Sequence, residues 1–135
     1  MTGEGMKIDP IDHVVLTVVD VEATCAFYAR VLGMEVVTFG AGRRALAFGS
    51  QKINLHAVGA ELEPRAPNAM PGTGDLCLIT ATPMPRVLAH LAACGVAVLQ
   101  GPVPRTGARG PILSVYFRDP DGNLVEVSNY PAAGA

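Results

Sequence analysis

Phe117-Arg118-Asp119-Pro120-Asp121-Gly122-Asn123-Leu124-Val125-Glu126-Val127-Ser128-Asn129-Tyr130 is the stretch that decides the fold. Asp119-Pro120-Asp121-Gly122 is a tight turn, because proline presets φ and glycine reaches φ > 0 without steric cost. β-type runs at 114–117 and 123–129 flank it, and together they read as a hairpin. Along the second run Val125 and Val127 share one face, while Leu124, Glu126 and Ser128 share the other. Glu126 is therefore a carboxylate in the middle of an apolar strand. Alone it reads as a solvated outer-face residue, since charged groups are seldom buried without a partner. The rest of the chain changes that balance.

Working outward, the same grammar appears twice. Residues 11–19 read as a Val-rich strand. Asp20 caps a helix whose apolar face is Val21, Cys25, Tyr28 and Leu32, and Gly33 ends it. Strands follow at 34–39, 44–48 and 52–58. Residues 60–74 hold Pro64, Pro67 and Pro71 and read as a linker. A strand at 75–81 restarts the pattern. Thr82-Pro83 reads as a capping hydroxyl with proline at the first helical position. Met84, Val87, Leu88 and Leu91 form that helix's apolar face, and Gly95 ends it. A strand at 96–99 and a loop at 101–110 lead back to the hairpin.

This is an internal repeat. The stops Gly33 and Gly95, and the caps Asp20 and Thr82, each stand 62 residues apart, which sets His13 opposite Asp75. Toward the end the offset reads as 69, from Phe48 to Phe117 and from Asn54 to Asn123. The expected fold class is α+β, with two tandem β-α-β-β-β modules forming a curved half-barrel type of sheet. The expected division is 1–10 as a flexible N-terminus and 11–130 as one domain, with 131–135 as a tail. Module one is 11–59, the linker 60–74 and module two 75–130.

Composition bounds the function. Half of the 135 residues are apolar and 16% are charged, which is a globular balance. The net charge of −2 comes without a basic stripe, which argues against a nucleic-acid partner. No apolar run reaches membrane-span length, and residues 1–7 lack the h-region of a secretory signal. Cys25, Cys77 and Cys94 are an odd number at unpatterned spacings, and they read as buried free thiols in a reducing cytoplasm.

If each module lays its helix on one face of its sheet, the opposite faces carry the polar residues. Those are His13, Asp75 and Glu126, with Asn54 and His56 on the last strand of module one. Imidazole and carboxylate donors together suit borderline or hard divalent ions, and two His plus one carboxylate suits Fe(II). At an offset of 69 Glu126 pairs with Ala57, so His56 is a ligand only if one module has a one-residue bulge. Each residue also has a plainer reading. His13 can be a hydrogen-bonded core histidine, and Asp75 can cap the turn after Gly74. His90 reads as solvated, and Tyr28 and Tyr116 as packing. Arg105, Thr106 and Arg109 read either as a clamp for an anionic substrate or as a solvated loop.

Ile11-Asp-His13-Val-Val-Leu-Thr-Val18, Phe27-Tyr28, Leu32-Gly-Met-Glu-Val36 and the 117–126 stretch resemble the vicinal oxygen chelate superfamily. That superfamily includes glyoxalase I, extradiol dioxygenases, and fosfomycin- and bleomycin-resistance proteins. Gln51-Lys-Ile-Asn-Leu-His56, Asp75-Leu-Cys-Leu-Ile-Thr80 and 101–112 are most similar to its glyoxalase domain-containing protein 5-like group. The resemblance implies a divalent metal (Fe, Mn, Ni or Zn) held on first and last module strands, by His13, Glu126 and the Asp75 position, with His56 as a further candidate. Asp75 departs from the histidine that many metal-dependent members carry. The implied activity is a lactoylglutathione-lyase-like isomerisation or ring-cleaving dioxygenation of a small oxygenated substrate, with Glu126 or His56 moving the proton. A metal-free protein that sequesters a small molecule is the other class. A cytoplasmic homodimer is the implied state.

Overall fold

A computed structural model describes residues 5–131. The expectations for residues 1–4 and 132–135 lie outside the described residues.

Ten elements run in the order β1 (His13–Val18), α1 (Val21–Leu32), β2 (Glu35–Phe39), β3 (Arg43–Phe48), β4 (Gln51–Ala57), β5 (Asp75–Ile79), α2 (Met84–Ala93), β6 (Gln100–Gly107), β7 (Gly110–Arg118) and β8 (Leu124–Asn129). They form two four-stranded sheets of matching topology, β1-β4-β3-β2 and β5-β8-β7-β6. In each, the first strand lies at an edge and pairs parallel with the last strand of its module. The expected α+β pair of β-α-β-β-β modules is the observed fold.

Local chemistry explains the elements. The Asp20 side chain accepts from the Ala23 N–H, and Gly33 closes α1 in the left-handed region at φ 66°. The helix faces of the sheets bury Leu16, Val18, Leu46, Ile53 and Leu55 in module one, and Val115, Phe117, Val125 and Val127 in module two. α1 joins the two cores. Its Tyr28 packs in the first core and its Val31 in the second. Nε2 of His90 donates to the Val31 carbonyl at 2.8 Å, so His90 ties α2 to α1 as well as meeting solvent. Among the described residues no helix is long and apolar enough to cross a membrane.

Three local expectations are corrected. Thr82 does not cap α2. Pro83 occupies the cap without a side-chain bond, and the Thr82 N–H donates to Thr80 Oγ1. The expected 96–99 strand and 101–110 loop are replaced by β6, which pairs antiparallel with β7 from Gln100 to Gly107. Pro102 and Pro104 signal a loop, but β6 is the sheet's edge strand, where missing N–H groups cost no ladder bond. Cys77 is exposed on β5 rather than buried, whereas Cys25 is buried.

The 69-residue offset also fails. Val15 pairs with Asn54 in the first sheet, and its repeat mate Cys77 pairs with Glu126 in the second. The equivalent of Glu126 is therefore Asn54, and neither Ala57 nor His56. Likewise Leu46 faces Ile53 as Phe117 faces Val125, so Leu46, not Phe48, matches Phe117.

Gly101 sits where the β6–β7 register shifts, at φ 112°, and a Cβ there would lie 2.4 Å from the Ser114 carbonyl oxygen. Gly101→Ala combines a forbidden φ with a backbone clash. It is expected to cost roughly 2–4 kcal/mol in urea unfolding. A loss below the error of the measurement would show that β6 is not held in this register.

Candidate functional site

In module two, Val125 and Val127 face α2, so Glu126 and Ser128 face away from it. The open face of the second sheet therefore carries Asp75 and Cys77 from β5, Glu126 and Ser128 from β8, Ser114 and Tyr116 from β7, and Arg105 from β6. Glu126 is half-buried and held from one side. The Ser114 hydroxyl donates to its Oε2 at 2.5 Å, and the Ser128 hydroxyl lies 3.4 Å from the same oxygen. Both serines are fully buried, 2.7 Å from one another. Oε2 is thus occupied, and Oε1 accepts no hydrogen bond among the described residues.

Cys77 Sγ lies 3.4 Å from Ser128 Oγ. Although the residue is exposed overall, desolvation of its sulfur pushes this thiol up, the Ser128 contact lowers it in part, and the Glu126 charge and hydrogen bond raise it again. A thiol kept protonated is a poor nucleophile.

Beside Glu126, Tyr116 is not a packing residue. It is half-buried on the open face, and its hydroxyl accepts from Arg105 Nε at 2.9 Å. Arg105 is exposed on β6 rather than on a loop. Arg109 occupies the β6–β7 turn with its guanidinium 4.1 Å from the centre of the Tyr130 ring. Thr106 is exposed on β6.

On the open face of the first sheet, His13, Val15 and Thr17 of β1 lie beside Lys52, Asn54 and His56 of β4. His13 is exposed, and its Nδ1 meets the Asp12 carboxylate at 2.8 Å. Asn54 and His56 are buried, and Asn54 Oδ1 and His56 Nε2 have no hydrogen-bond partner among the described residues. The 60–74 segment crosses this face. Beneath it is a cavity of about 530 Å³ lined by Thr17, His56, Arg65, Asn68, Met70 and Thr73. The strap is pinned at its start by Glu61, whose Oε2 accepts from the Gly59 N–H at 3.1 Å. Its own and the Gly59 backbone N–H groups hold the Glu61 carboxyl below its ordinary value, with Arg65 and His56 adding to the effect.

His13, Asp75, Glu126 and His56 are thus divided between two open faces. Among the described residues of one chain, no three His, Cys, Asp or Glu side chains gather into a group that could hold a metal ion. The register partners of Asn54 and Glu126 are Val15 and Cys77, so His13 and Asp75 each stand two residues before that partner on the same open face, in matched diagonal positions. Sequence reading placed Asn54 on the open face without giving it a ligand role, and it gave Ser114 and Ser128 none. Alternation along β4, β7 and β8 places them on the open faces, but their partners depend on sheet register.

The chain's residues 10–127 match the family model of the Glyoxalase/Bleomycin resistance protein/Dioxygenase superfamily. The virulence protein STM3117 of Salmonella typhimurium is 54% identical over 125 residues, spanning 93% of this chain and 87% of that protein. Its crystal structure superposes with a TM-score of 0.92. The glyoxalase domain-containing protein RDO1 of Mycosarcoma maydis is 52% identical over 128 residues, 95% of this chain and 72% of that one. The crystal structure of lactoylglutathione lyase from Agrobacterium tumefaciens is 26% identical with a TM-score of 0.70, covering 92% of this chain and 96% of the other. The repeated modules, the polar open faces and these matches lead to one conclusion: the chain belongs to the glyoxalase/bleomycin resistance protein/dioxygenase superfamily.

Proposed function

We propose that the chain is a homodimeric, divalent-metal-dependent enzyme that acts on a small substrate with two adjacent oxygens. Isomerisation of lactoylglutathione-lyase type is the first reaction to test, and ring-cleaving dioxygenation the second. The observation that carries the reading is the matched diagonal placement of His13 toward Asn54 and of Asp75 toward Glu126, with His13 and Asp75 on the edge strands β1 and β5.

Two copies set edge to edge, β1 of one beside β5 of the other, unite the pairs. Both edges support this. Val15 on β1 and Ile79 on β5 are apolar and about half exposed, at 46% and 51%. The residues fit a divalent ion. Asn54 Oδ1 is a buried oxygen in want of a partner, and Glu126 Oε1 accepts no hydrogen bond among the described residues while two serines fix the other oxygen. One imidazole and three oxygen donors suit hard or borderline ions such as Mn(II) and Fe(II). A bound ion supplies Lewis acidity toward the two substrate oxygens.

The chain's other groups then have separate tasks. His56 lines the strap cavity with a ring nitrogen that is committed to nothing, so it is the better placed group to take a proton from substrate carbon. Glu126 is already held by hydroxyls. Arg105 and Tyr116, next to Glu126 in the second sheet, receive an anionic end of the substrate, with Thr106 and Arg109 further along the same hairpin. The strap over His56 limits water at that end.

The test is complementation. His13→Ala and Glu126→Gln chains, separately tagged and co-expressed, form heterodimers that keep one intact site, while each homodimer keeps none. Such a heterodimer is expected to bind about one ion where the parent binds about two. Heterodimers that bind no better than either homodimer, or a parent that is monomeric, would refute the shared site. A parent dimer that binds no divalent ion would leave the sequestering function in its place.

A further inference from the structure

A cavity of about 610 Å³ is on the other side of the second sheet from Glu126. Its walls come from both modules. Val31 and Leu32 of α1, Leu78 of β5, and Val87 and Leu91 of α2 make an apolar floor. The basic side chains at its rim are Arg30, Arg86 and His90, and among the described residues no carboxylate lines it. This size is typical of small-molecule sites, as is an apolar wall with a few convergent polar groups.

The three rim groups differ in how they are held. The Arg30 guanidinium donates to the Cys94 carbonyl at 2.8 Å, and His90 donates to the Val31 carbonyl. Arg86 makes no side-chain hydrogen bond or ion pair among the described residues, and it stands in the first turn of α2. That turn contains no acidic residue and its start has no side-chain cap. A cation at the positive end of a helix is opposed by the helix dipole. Pro83 and Pro85 carry no N–H, and the Arg86 N–H donates to the Pro83 carbonyl, so the guanidinium is the group there that an anion meets. The placement is unfavourable for an empty helix start and favourable once an anion is present.

We propose that this cavity binds a medium-chain carboxylate, with its tail on the apolar floor and its carboxylate on the Arg86 guanidinium. The site uses none of His13, Asn54, His56, Asp75 and Glu126, so it stands independently of the proposed reaction.

Calorimetric titration of the full chain with hexanoate, octanoate and decanoate, in EDTA so that no divalent ion contributes, tests it. Saturable binding is expected, tightening about two- to fourfold per added methylene. Decanol, with the tail and no charge, should bind more weakly than decanoate. Arg86→Ala should weaken decanoate about tenfold, the scale of one charge-assisted hydrogen bond. Ala89→Trp, which fills the cavity from an exposed position of α2, should abolish binding. Absence of saturable decanoate binding overturns the proposal. So does binding that neither variant changes, or decanol bound as tightly as decanoate.

Discussion

Glu126→Gln is expected to weaken Mn(II) binding by more than about 100-fold, since losing even an outer partner of a metal ligand reaches 10–100-fold. The fold should survive. Glutamine keeps the length and planarity of the side chain, and its carbonyl oxygen can still accept from Ser114 and Ser128, as Oε2 does in the parent. It lacks the negative charge that a divalent cation meets. Desolvating that charge in a half-buried strand position is costly, and a bound cation offsets the cost. Stability without metal should therefore stay within about 0.5 kcal/mol of the parent or rise slightly. Calorimetric titration with Mn(II), beside urea unfolding in EDTA, reads both quantities. Equal affinity in the two proteins would remove Glu126 from the metal shell. Lost affinity together with a large loss of stability would mean that Glu126 acts through the fold instead.

Asp119→Ala is expected to produce the largest loss of stability of any single change in the turn, about 4 kcal/mol from four bonds to one buried carboxylate. Asp119 is 6% exposed. One oxygen accepts from the Asp121 and Asn123 backbone N–H groups, both at 2.9 Å. The other accepts from the Tyr28 hydroxyl at 2.7 Å and from Asn123 Nδ2 at 2.8 Å. Tyr28 belongs to α1 and is fully buried, so the substitution opens the turn and strands a hydroxyl in the core of module one. Tyr28→Phe removes only one of the four bonds and should cost about 1–2 kcal/mol. Urea unfolding of both variants checks the ratio. A loss for Asp119→Ala no greater than that for Tyr28→Phe would reduce Asp119 to an ordinary turn residue.

The same bond has a pH signature. Burial, then the Asp119 bond and charge, push Tyr28 far above its ordinary value of 10.0. A raised value means that the folded state keeps a proton the unfolded chain gives up. The Tyr28 contribution is therefore complete below pH 10 and is lost as the pH climbs beyond it.

Much of the fold is legible because its signals are local. Asp20 and Gly33 bracket α1 through backbone geometry that three or four residues control. Asp119-Pro-Asp-Gly makes its turn from its own φ preferences, and alternation alone puts Glu126 opposite Val125 and Val127. The 62-residue repeat follows from such markers, so the two-module architecture can be read without coordinates. Tertiary structure decided the rest, because it depends on which strand lies beside which. β6 is a strand despite Pro102 and Pro104 only because no neighbour on its outer side needs their N–H groups. Asn54, and not His56, is the counterpart of Glu126 because β4 and β8 are registered against β1 and β5 by ladder hydrogen bonds, which counting along a chain with unequal loops does not reveal. The serines that hold Glu126, the strap over His56 and the Asp119–Tyr28 bond all join residues far apart in sequence. Composition and spacing supply the side chains that can make such contacts, and only the packed sheets determine which of them meet.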